Sequence, residues 1–207
     1  MNRLEEIFKQ SKGRMDYFNA YSLYLNHLLM DLDFNAVSSV IDCFLDARKN
    51  KKMIFFAGNG GSAATASHFA QDLSEVGRKV NREGFRTISM TDNVPSISAI
   101  GNDYGYGEIF TMQMAYLFSE GDILTVMSAS GNSPNIVNAV EFAKKLGGKT
   151  VGFVGFDGGK LRHLCDHLIH VQSQNREYGP VEDIHLVLDH MITSYLIFYF
   201  LNEEEKP

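Results

Sequence analysis

Two short turns in this sequence carry the residue types that bind anions through backbone amides and hydroxyl groups. The first, FAGNGGSAATA at 56–66, places Gly58, Gly60 and Gly61 between an apolar run and a helical stretch. Glycine lets the backbone approach a ligand closely, and the first turn of a helix has free N–H groups. We therefore predict an anion-binding turn here. The alternative is an ordinary turn between a strand and a helix, with Ser62 as the helix cap.

This first turn departs from two nucleotide-binding patterns. The dinucleotide pattern G-x-G-x-x-G would need glycine at position 63, which is Ala63. A Walker loop would need Gly-Lys followed by Ser or Thr, and that tripeptide does not follow the turn. The pattern therefore favours a small anion over a nucleotide.

The second turn, SASGNSPN at 128–135, follows the apolar run ILTVM and precedes a helix opened by Pro134. Its three hydroxyls, from Ser128, Ser130 and Ser133, suit a phosphate monoester without a metal or a lysine. A capped loop is the alternative, although one serine would suffice for a cap. Because the carboxyl ends of parallel strands share one edge of a sheet, both turns should face one crevice.

The helix after the first turn carries His68 and Asp72 four residues apart. This spacing puts both side chains on one helical face, as two ligands of one cation or as a base with its neighbour. An ordinary surface interaction is the alternative. The last helix carries a second polar group, VEDIHLVLDH at 181–190, in which His185 and Asp189 have the spacing of a helical pair.

Alternating strands and helices must position these residues. Strands are predicted at 53–57, 86–90, 123–127, 150–156 and 168–171, and helices at 62–75, 94–118, 134–146 and 160–165. Pro180 opens a final helix that runs to about Asn202. This order predicts a parallel sheet covered on both faces. Residues 1–50 are predicted to form two helices as an N-terminal extension, and 51–202 the α/β domain.

The composition excludes several other classes of protein. The 207 residues include 19 Lys plus Arg and 25 Asp plus Glu, and the net charge of −6 argues against broad nucleic-acid binding. The start has no apolar leader, and the longest apolar stretch, 191–201, is too short to cross a bilayer. Cys43 and Cys165 stand far apart. We expect a cytoplasmic protein with no membrane or nucleic-acid partner.

Three motifs in order resemble a known family. They are GNGGSAA-x-A-x-HFA at 58–70, AIGNDYGY at 99–106 and S-x-SGNSPN at 128–135. Together they resemble the phosphosugar isomerase (SIS) fold and, within it, the phosphoheptose isomerase family, over about 51–196. The resemblance implies a three-layer α/β fold with a central five-stranded parallel sheet flanked by helices. It also implies an enzyme that interconverts sedoheptulose 7-phosphate and a heptose 7-phosphate through an enediol, in the synthesis of heptose precursors of cell-surface carbohydrate. A homotetramer with sites shared between subunits is implied as well.

The resemblance implies roles for individual residues. Asp72 would be the catalytic base and His190 the general acid, and one Zn²⁺ per subunit would be bound by His68, Asp72, Glu182 and His190. The substrate would be contacted by Asp72 and Glu182, and by Asn59, Gly60, Gly61, Ser62, Asn102, Asp103, Ser128, Ala129, Ser130 and Ser133. The chain departs from the family pattern at three of these positions, where the family usually has Thr for Ala129, Glu for Asp72 and Gln for Glu182.

The spacing of two of the implied zinc ligands raises a geometric difficulty. Glu182 and His190 are eight residues apart, ~12 Å along a straight helix, whereas zinc–ligand bonds are about 2 Å long. Either Glu182 precedes the helix or the ligands come from different subunits. Two other functions stay open: a non-catalytic phosphosugar-binding module, acting as a sensor or a replication-initiation partner, and an isomerase for a different sugar phosphate.

Overall fold

The apolar runs of the sequence form one parallel sheet in the computed structural model, which describes residues 2–202. The spatial order of its five strands is β2-β1-β3-β4-β5, and every neighbouring pair is parallel. The strands are β1 (Met53–Gly58), β2 (Arg86–Ser89), β3 (Ile123–Ser128), β4 (Lys149–Val154) and β5 (His167–His170). The prediction of an α/β fold around a central five-stranded parallel sheet is confirmed.

Helices connect and cover the strands. Three precede the sheet: α1 (Arg3–Gln10), α2 (Arg14–Met30) and α3 (Phe34–Lys49). The others are α4 (Gly61–Lys79), α5 (Val94–Asp103), α6 (Thr111–Leu117), α7 (Pro134–Lys145), α8 (Leu161–Leu164) and α9 (Tyr178–Asn202). A short 3₁₀ turn, Tyr106–Glu108, lies between α5 and α6.

Three predicted element bounds were wrong. The first fifty residues form three helices instead of two, because Asn2 caps a separate short helix, α1, through a capping box with Glu5. The helix predicted at 94–118 is split after α5, where Gly105 has a φ of +95° that side-chain-bearing residues rarely adopt. The last helix begins at Tyr178, so Pro180 lies inside its first turn.

The alternation of side chains along β1 divides the core into two layers. Ile54 and Phe56 face α3, α4 and α9, where they pack with residues such as Phe44, Phe69 and Leu188. The intervening residues of the strand face α6 and α7; this second cluster includes Phe55, Ala57, Phe110, Met114, Ile136 and Val140. Both faces are buried, as expected for a parallel sheet.

The register between β1 and β3 brings two strand ends together. Gly58, the last residue of β1, is opposite Met127, and Ser128 ends β3 one residue later. The turns that follow these strands therefore start at the same edge of the sheet.

Helix α9 is the longest helix of the described residues, at 25 residues. Its inner face, which includes Val181, Ile184, Leu188 and Ile192, is buried in the core against the sheet and α4. By length and composition alone it is apolar enough to cross a membrane, a test that the buried core helix of a soluble protein also passes. Its packing on α4 accounts for the apolar residues of this inner face.

A buried carboxylate joins the first helix to the beginning of the last. Glu177 is fully buried, and its Oε1 accepts hydrogen bonds from the backbone N–H groups of Arg3 (2.7 Å) and Leu4 (3.3 Å). Its Oε2 accepts from the Tyr24 hydroxyl at 2.5 Å and from the Gln174 N–H at 3.1 Å. A carboxylate at the first turn of α1 is also favoured by the helix dipole. The N-terminal helices are therefore attached to the segment that leads into α9.

We predict that Glu177→Ala lowers the free energy of unfolding by about 2–5 kcal/mol, because four part-buried hydrogen bonds lose their buried acceptor. Glu177→Gln retains one carbonyl oxygen and should lose less. Urea denaturation of both variants, followed by circular dichroism, measures the difference.

Glu83→Ala is the control, because Glu83 is an exposed acid that forms one ion pair within residues 2–202, a 3.9 Å contact with Lys51. It should change the free energy of unfolding by less than about 1 kcal/mol. A Glu177→Ala protein as stable as this control would contradict the anchoring role.

Candidate active site

The short turn after β1 leads directly into α4 at the edge of the sheet. Gly60 has a φ of +56°, which favours glycine, and α4 begins at the next residue. A Cβ atom on Gly58 would collide with the backbone of Ser62. Glycine is thus required at both positions, because α4 begins only three residues after the end of β1. The free amides of the first turn of α4 therefore lie beside the end of β1.

The turn after β3 contributes hydroxyl groups at the same edge. Ser133 occupies the cap position of α7 but makes no side-chain capping bond, so its hydroxyl is not committed to the helix. The Ser130 hydroxyl accepts only a long hydrogen bond from the Asn132 N–H, at 3.3 Å. Both hydroxyls are therefore available to an anion.

One small cavity lies between the two turns. Its volume is about 100 Å³. It is lined by Asn59, Ser62, Met127, Ser128, Ala129, Ser130, Ser133, Tyr178 and Glu182. The expectation that the two turns face one crevice is therefore confirmed by the geometry.

A pair of amide side chains fixes the spacing of the two turns. Asn59 donates a hydrogen bond to Asn135 Oδ1 at 2.9 Å, and Asn135 donates to Asn59 Oδ1 at 2.8 Å. The Tyr106 hydroxyl donates to the same Asn59 oxygen at 3.0 Å. Asn135 and Tyr106 lie within the motifs at 128–135 and 99–106 but were not among the predicted site residues.

Glu182 brings a negative charge into this cavity. Its carboxylate lies against Gly61, where any Cβ atom would collide with it, and accepts a hydrogen bond from the Ser62 backbone N–H. Burial and the neighbouring Asp183 raise the pKa of Glu182, and the Ser62 N–H acts in the opposite direction. The carboxylate thus occupies an amide of the helix terminus that an external anion would otherwise use.

Asn102 and Asp103 lie outside this cavity. Both are exposed at the end of α5, where Asn102 donates a hydrogen bond to Asp103 Oδ1 at 2.8 Å. Gly60 and Gly61 are exposed and shape the turn without lining the cavity. A larger cavity, about 700 Å³, lies along α1 and α2 and shares no lining residue with the serine cavity.

A second polar cluster lies between α4 and α9. His68 Nε2 is 3.6 Å from Asp72 Oδ2, and the rings of His68 and His190 meet edge to face with centroids 5.1 Å apart. One potential ligand atom from each of His68, Asp72, Asp189 and His190 lies within 4.8 Å of the others. Imidazoles and carboxylates in this combination can bind a divalent cation or exchange protons with a substrate.

Asp189 was not predicted and is the unusual member of this cluster. It is fully buried, and neither carboxylate oxygen has a hydrogen-bond partner among residues 2–202. Burial, together with the nearby charge of Asp72, raises the pKa of Asp189 to about 7. Position 189 follows Val181, His185 and Leu188 along the buried face of α9, so an acid on an apolar helical face was the available signal.

His185 does not form the helical pair with Asp189 that its spacing suggested. Its Nε2 lies 3.4 Å from the Val154 carbonyl oxygen, and its Nδ1 has no partner in the described chain. Burial lowers the pKa of His185 to about 4, so the ring is neutral near pH 7. It packs edge to face on Phe153 and serves the core.

The structure therefore separates Glu182 from the three other residues with which it was grouped as a zinc ligand. His68, Asp72 and His190 come together, whereas Glu182 lies at the serine cavity and outside the cation-type cluster of the described chain. The idea that Glu182 precedes the last helix is wrong, because α9 is continuous from Tyr178 through His190.

Comparisons with known proteins agree with this architecture. The SIS domain family matches residues 16–155. A phosphoheptose isomerase of Aliarcobacter butzleri is 42% identical over 149 residues, which cover 72% of this chain and 77% of that protein. One from Nitratiruptor sp. is 40% identical over 167 residues, with 80% and 87% covered.

A solved structure extends the agreement to three dimensions. The phosphoheptose isomerase of Francisella tularensis superposes with a TM-score of 0.81 at 29% identity, covering 89% of this chain and 98% of that one. The expected SIS-type three-layer fold is confirmed by this match. The chain belongs to the phosphoheptose isomerase family of SIS-domain proteins.

Proposed function

We propose that this protein is an aldose–ketose isomerase that interconverts sedoheptulose 7-phosphate and a heptose 7-phosphate in heptose synthesis. The two relatives named phosphoheptose isomerase support this reaction. The observation that carries the proposal is that α4 belongs to both polar sites. Ser62 lines the serine cavity, and His68, six residues or ~9 Å farther along the helix, belongs to the second cluster. A sugar phosphate would lie between them, with its phosphate at the serine cavity and its reacting carbons at the cluster.

The phosphate would be held by hydroxyls and amides without a basic side chain. Ser128, Ser130 and Ser133 supply the hydroxyls, and the first turn of α4 supplies the amides and the positive end of its dipole. We assign the remaining contacts of the phosphate to Asn59, Gly60, Gly61, Ser62 and Ala129, and those of the sugar to Asn102 and Asp103.

The second cluster would carry the proton transfers. In the ketose-to-aldose direction, Asp72 takes a proton from C1 and returns it to C2 of the enediol. His190 donates a proton to the oxygen on C2 and accepts one from the oxygen on C1, so the number of protons is conserved. A histidine suits both steps because its ordinary pKa is close to neutral.

The same residues fit a divalent cation such as Zn²⁺. Two imidazoles, the Asp72 carboxylate and a buried carboxylate without a protein partner make a donor set suited to a borderline cation. When bound by His68, Asp72 and His190, the cation would polarise the substrate oxygens. The assignment of Glu182 as a further ligand, which the resemblance implied, is untested, and within one chain Glu182 lies outside this group.

Solvent proton exchange tests the proposed reaction directly. Because the proton held by Asp72 can exchange with solvent while the enediol is bound, deuterium from D₂O should appear at the reacting carbon of sedoheptulose 7-phosphate, and the aldose should form; NMR measures both. Sugar-phosphate binding with neither exchange nor aldose formation would indicate the non-catalytic module instead. Exchange with another ketose phosphate alone would indicate an isomerase of different specificity.

We predict opposite effects of two substitutions on phosphate affinity. The double variant Ser130→Ala with Ser133→Ala should weaken binding by roughly 1–3 kcal/mol per lost charge-assisted bond. Glu182→Gln should strengthen binding about tenfold, because it removes a like charge and frees the Ser62 N–H from a carboxylate. Calorimetric titration with inorganic phosphate at fixed pH and ionic strength measures both.

Asp183→Asn is the matched control for the charge, since Asp183 is the next residue on α9 but is exposed and bonded to Tyr21. Its phosphate affinity should equal that of the parent. Unchanged affinity in the serine variant would refute the phosphate site. Equal gains in Glu182→Gln and Asp183→Asn would reduce the first to a general charge effect.

We predict that Asp72→Asn and His190→Gln each lower kcat about 10²–10⁴-fold, the usual contribution of a positioned proton donor or acceptor. Phosphate affinity should stay within about threefold of the parent, because neither residue lines the serine cavity. Asp72→Glu should keep measurable turnover, since it preserves the carboxylate.

His163→Gln controls for the loss of an imidazole, because His163 is exposed on α8 and belongs neither to the lining of the serine cavity nor to the second cluster. Near-parental turnover in Asp72→Asn or His190→Gln would assign that proton transfer to another residue.

We propose that the chain assembles as a homotetramer with sites shared between subunits. Exposed apolar side chains recur along the outer face of α9: Val187, Met191, Tyr195, Phe198 and Leu201. His190 is exposed beside Met191, so a second copy on this face would cover one edge of the polar cluster. A continuous apolar patch of this kind is typical of an interface.

Light scattering should give four times the mass of the chain for the parent. Phe198→Glu should lower that mass, because it places a charge in the apolar patch, whereas Tyr116→Glu, on the exposed face of α6, should not. A monomeric parent, or a tetrameric Phe198→Glu, would contradict the proposed interface.

We also propose that residues 1–50 act as a helical extension that packs on the 51–202 domain and on a neighbouring subunit. The contact of Glu177 with α1 supports the first part. A phosphorylated sugar substrate of heptose synthesis supports a cytoplasmic location.

A further inference from the structure

The buried carboxylate of Asp189 has the surroundings of a metal ligand. We propose that Asp189 binds a divalent cation directly, together with His68, Asp72 and His190, so that one subunit supplies four ligands. The inference rests on the proposed function in that it concerns the same site, but it makes a claim about cation binding that does not need isomerase activity.

The carboxylate of Asp189 has no hydrogen-bond partner in the described part of the chain. Asp189 is fully buried, and neither oxygen accepts a hydrogen bond from residues 2–202. Buried carboxylates are normally hydrogen-bonded, paired with a cation or bound to a metal. The other buried acids of this structure follow the rule, because Glu177 accepts four hydrogen bonds and Asp122 accepts from the N–H groups of Met53 and Ser119.

Potential ligand atoms of His68, Asp72 and His190 lie close to the Asp189 carboxylate. One donor atom from each of the four residues lies within 4.8 Å of the rest, on two helices that pack together. Ligand atoms around a tetrahedral zinc with bonds of about 2.1 Å are ~3.4 Å apart. The observed separations exceed this value by at most ~1.4 Å, so a modest contraction would bring the four donors into a common coordination sphere.

Glu182, the other carboxylate of α9 considered as a ligand, lies at the start of α4. Glu182 accepts the Ser62 N–H at the start of α4, and lies two turns before His190 on the same continuous helix. Asp189 is adjacent to His190, and one of its carboxylate oxygens lies within 4.8 Å of the donor atoms of the other three residues. Within one chain, Asp189 and not Glu182 is the carboxylate that α9 brings to the two histidines.

The test is titration of the chelator-stripped full chain with Zn²⁺ alone, read by calorimetry. Asp189→Asn should weaken zinc affinity about 100-fold or more, as expected for a lost ligand, since even supporting residues around a metal typically contribute 10- to 100-fold. Titration with Co²⁺ adds a spectroscopic measurement. The visible absorption of the bound ion should change in intensity and position in Asp189→Asn, because its coordination sphere has lost an anionic oxygen.

Two further variants separate this assignment from its competitors. Asp183→Asn removes the same charge from an exposed position of α9 and should leave zinc affinity and the cobalt spectrum unchanged. Glu182→Gln should change zinc affinity less than threefold. If Glu182→Gln loses zinc and Asp189→Asn keeps it, the ligand is Glu182 and the proposal is wrong.

Folding is checked with Asp189→Leu, whose apolar side chain suits the buried face of α9. Both Asp189 variants should unfold in the absence of metal at a temperature no lower than the parent, because an unpartnered buried acid has been removed. Parental zinc affinity in either variant, or no zinc binding by the parent, would overturn the proposal. Zinc binding as expected, with neither deuterium exchange nor aldose formation, would instead refute the isomerase and leave Asp189 as a ligand.

Discussion

The parallel register of β1 and β3 is the constraint on which the candidate site depends. Because Gly58 and Met127 are opposite each other, the two strands end together and their turns leave the sheet at one edge. The reciprocal amide bonds between Asn59 and Asn135 then hold the turns at a fixed spacing. A slip of this register would separate the hydroxyls of one turn from the amides of the other.

Helix α4 transmits that constraint to the second cluster. Its first turn is fixed by the end of β1, and its inner face is held by Phe69 and Leu73 in the core with α9. His68 and Asp72 lie on the same helix and therefore have a defined distance from the serine cavity. The packing of α9 on α4 brings Asp189 and His190 to them, and brings Glu182 to the start of α4.

The sequence predicted the local features well because they depend on neighbours in the chain. Short apolar runs that alternate with helical stretches identified all five strands, and the two turns were located by their residue types. The arrangement of α9 on α4 depends on contacts between residues more than 100 positions apart, which periodicity does not encode. This is why Asp189 was overlooked, whereas Glu182 was grouped with the histidines because the family resemblance implied it.

The attachment of α1 has a consequence for how the protein is made. The N–H groups of Arg3 and Leu4 find their acceptor in Glu177, 174 and 173 residues later in the chain. During synthesis from the amino terminus, α1 and the Tyr24 hydroxyl must wait until position 177 has left the ribosome before Glu177 can reach them. Helix α1 is thus translated well before the acceptor that anchors it, and any product truncated before position 177 lacks that acceptor altogether.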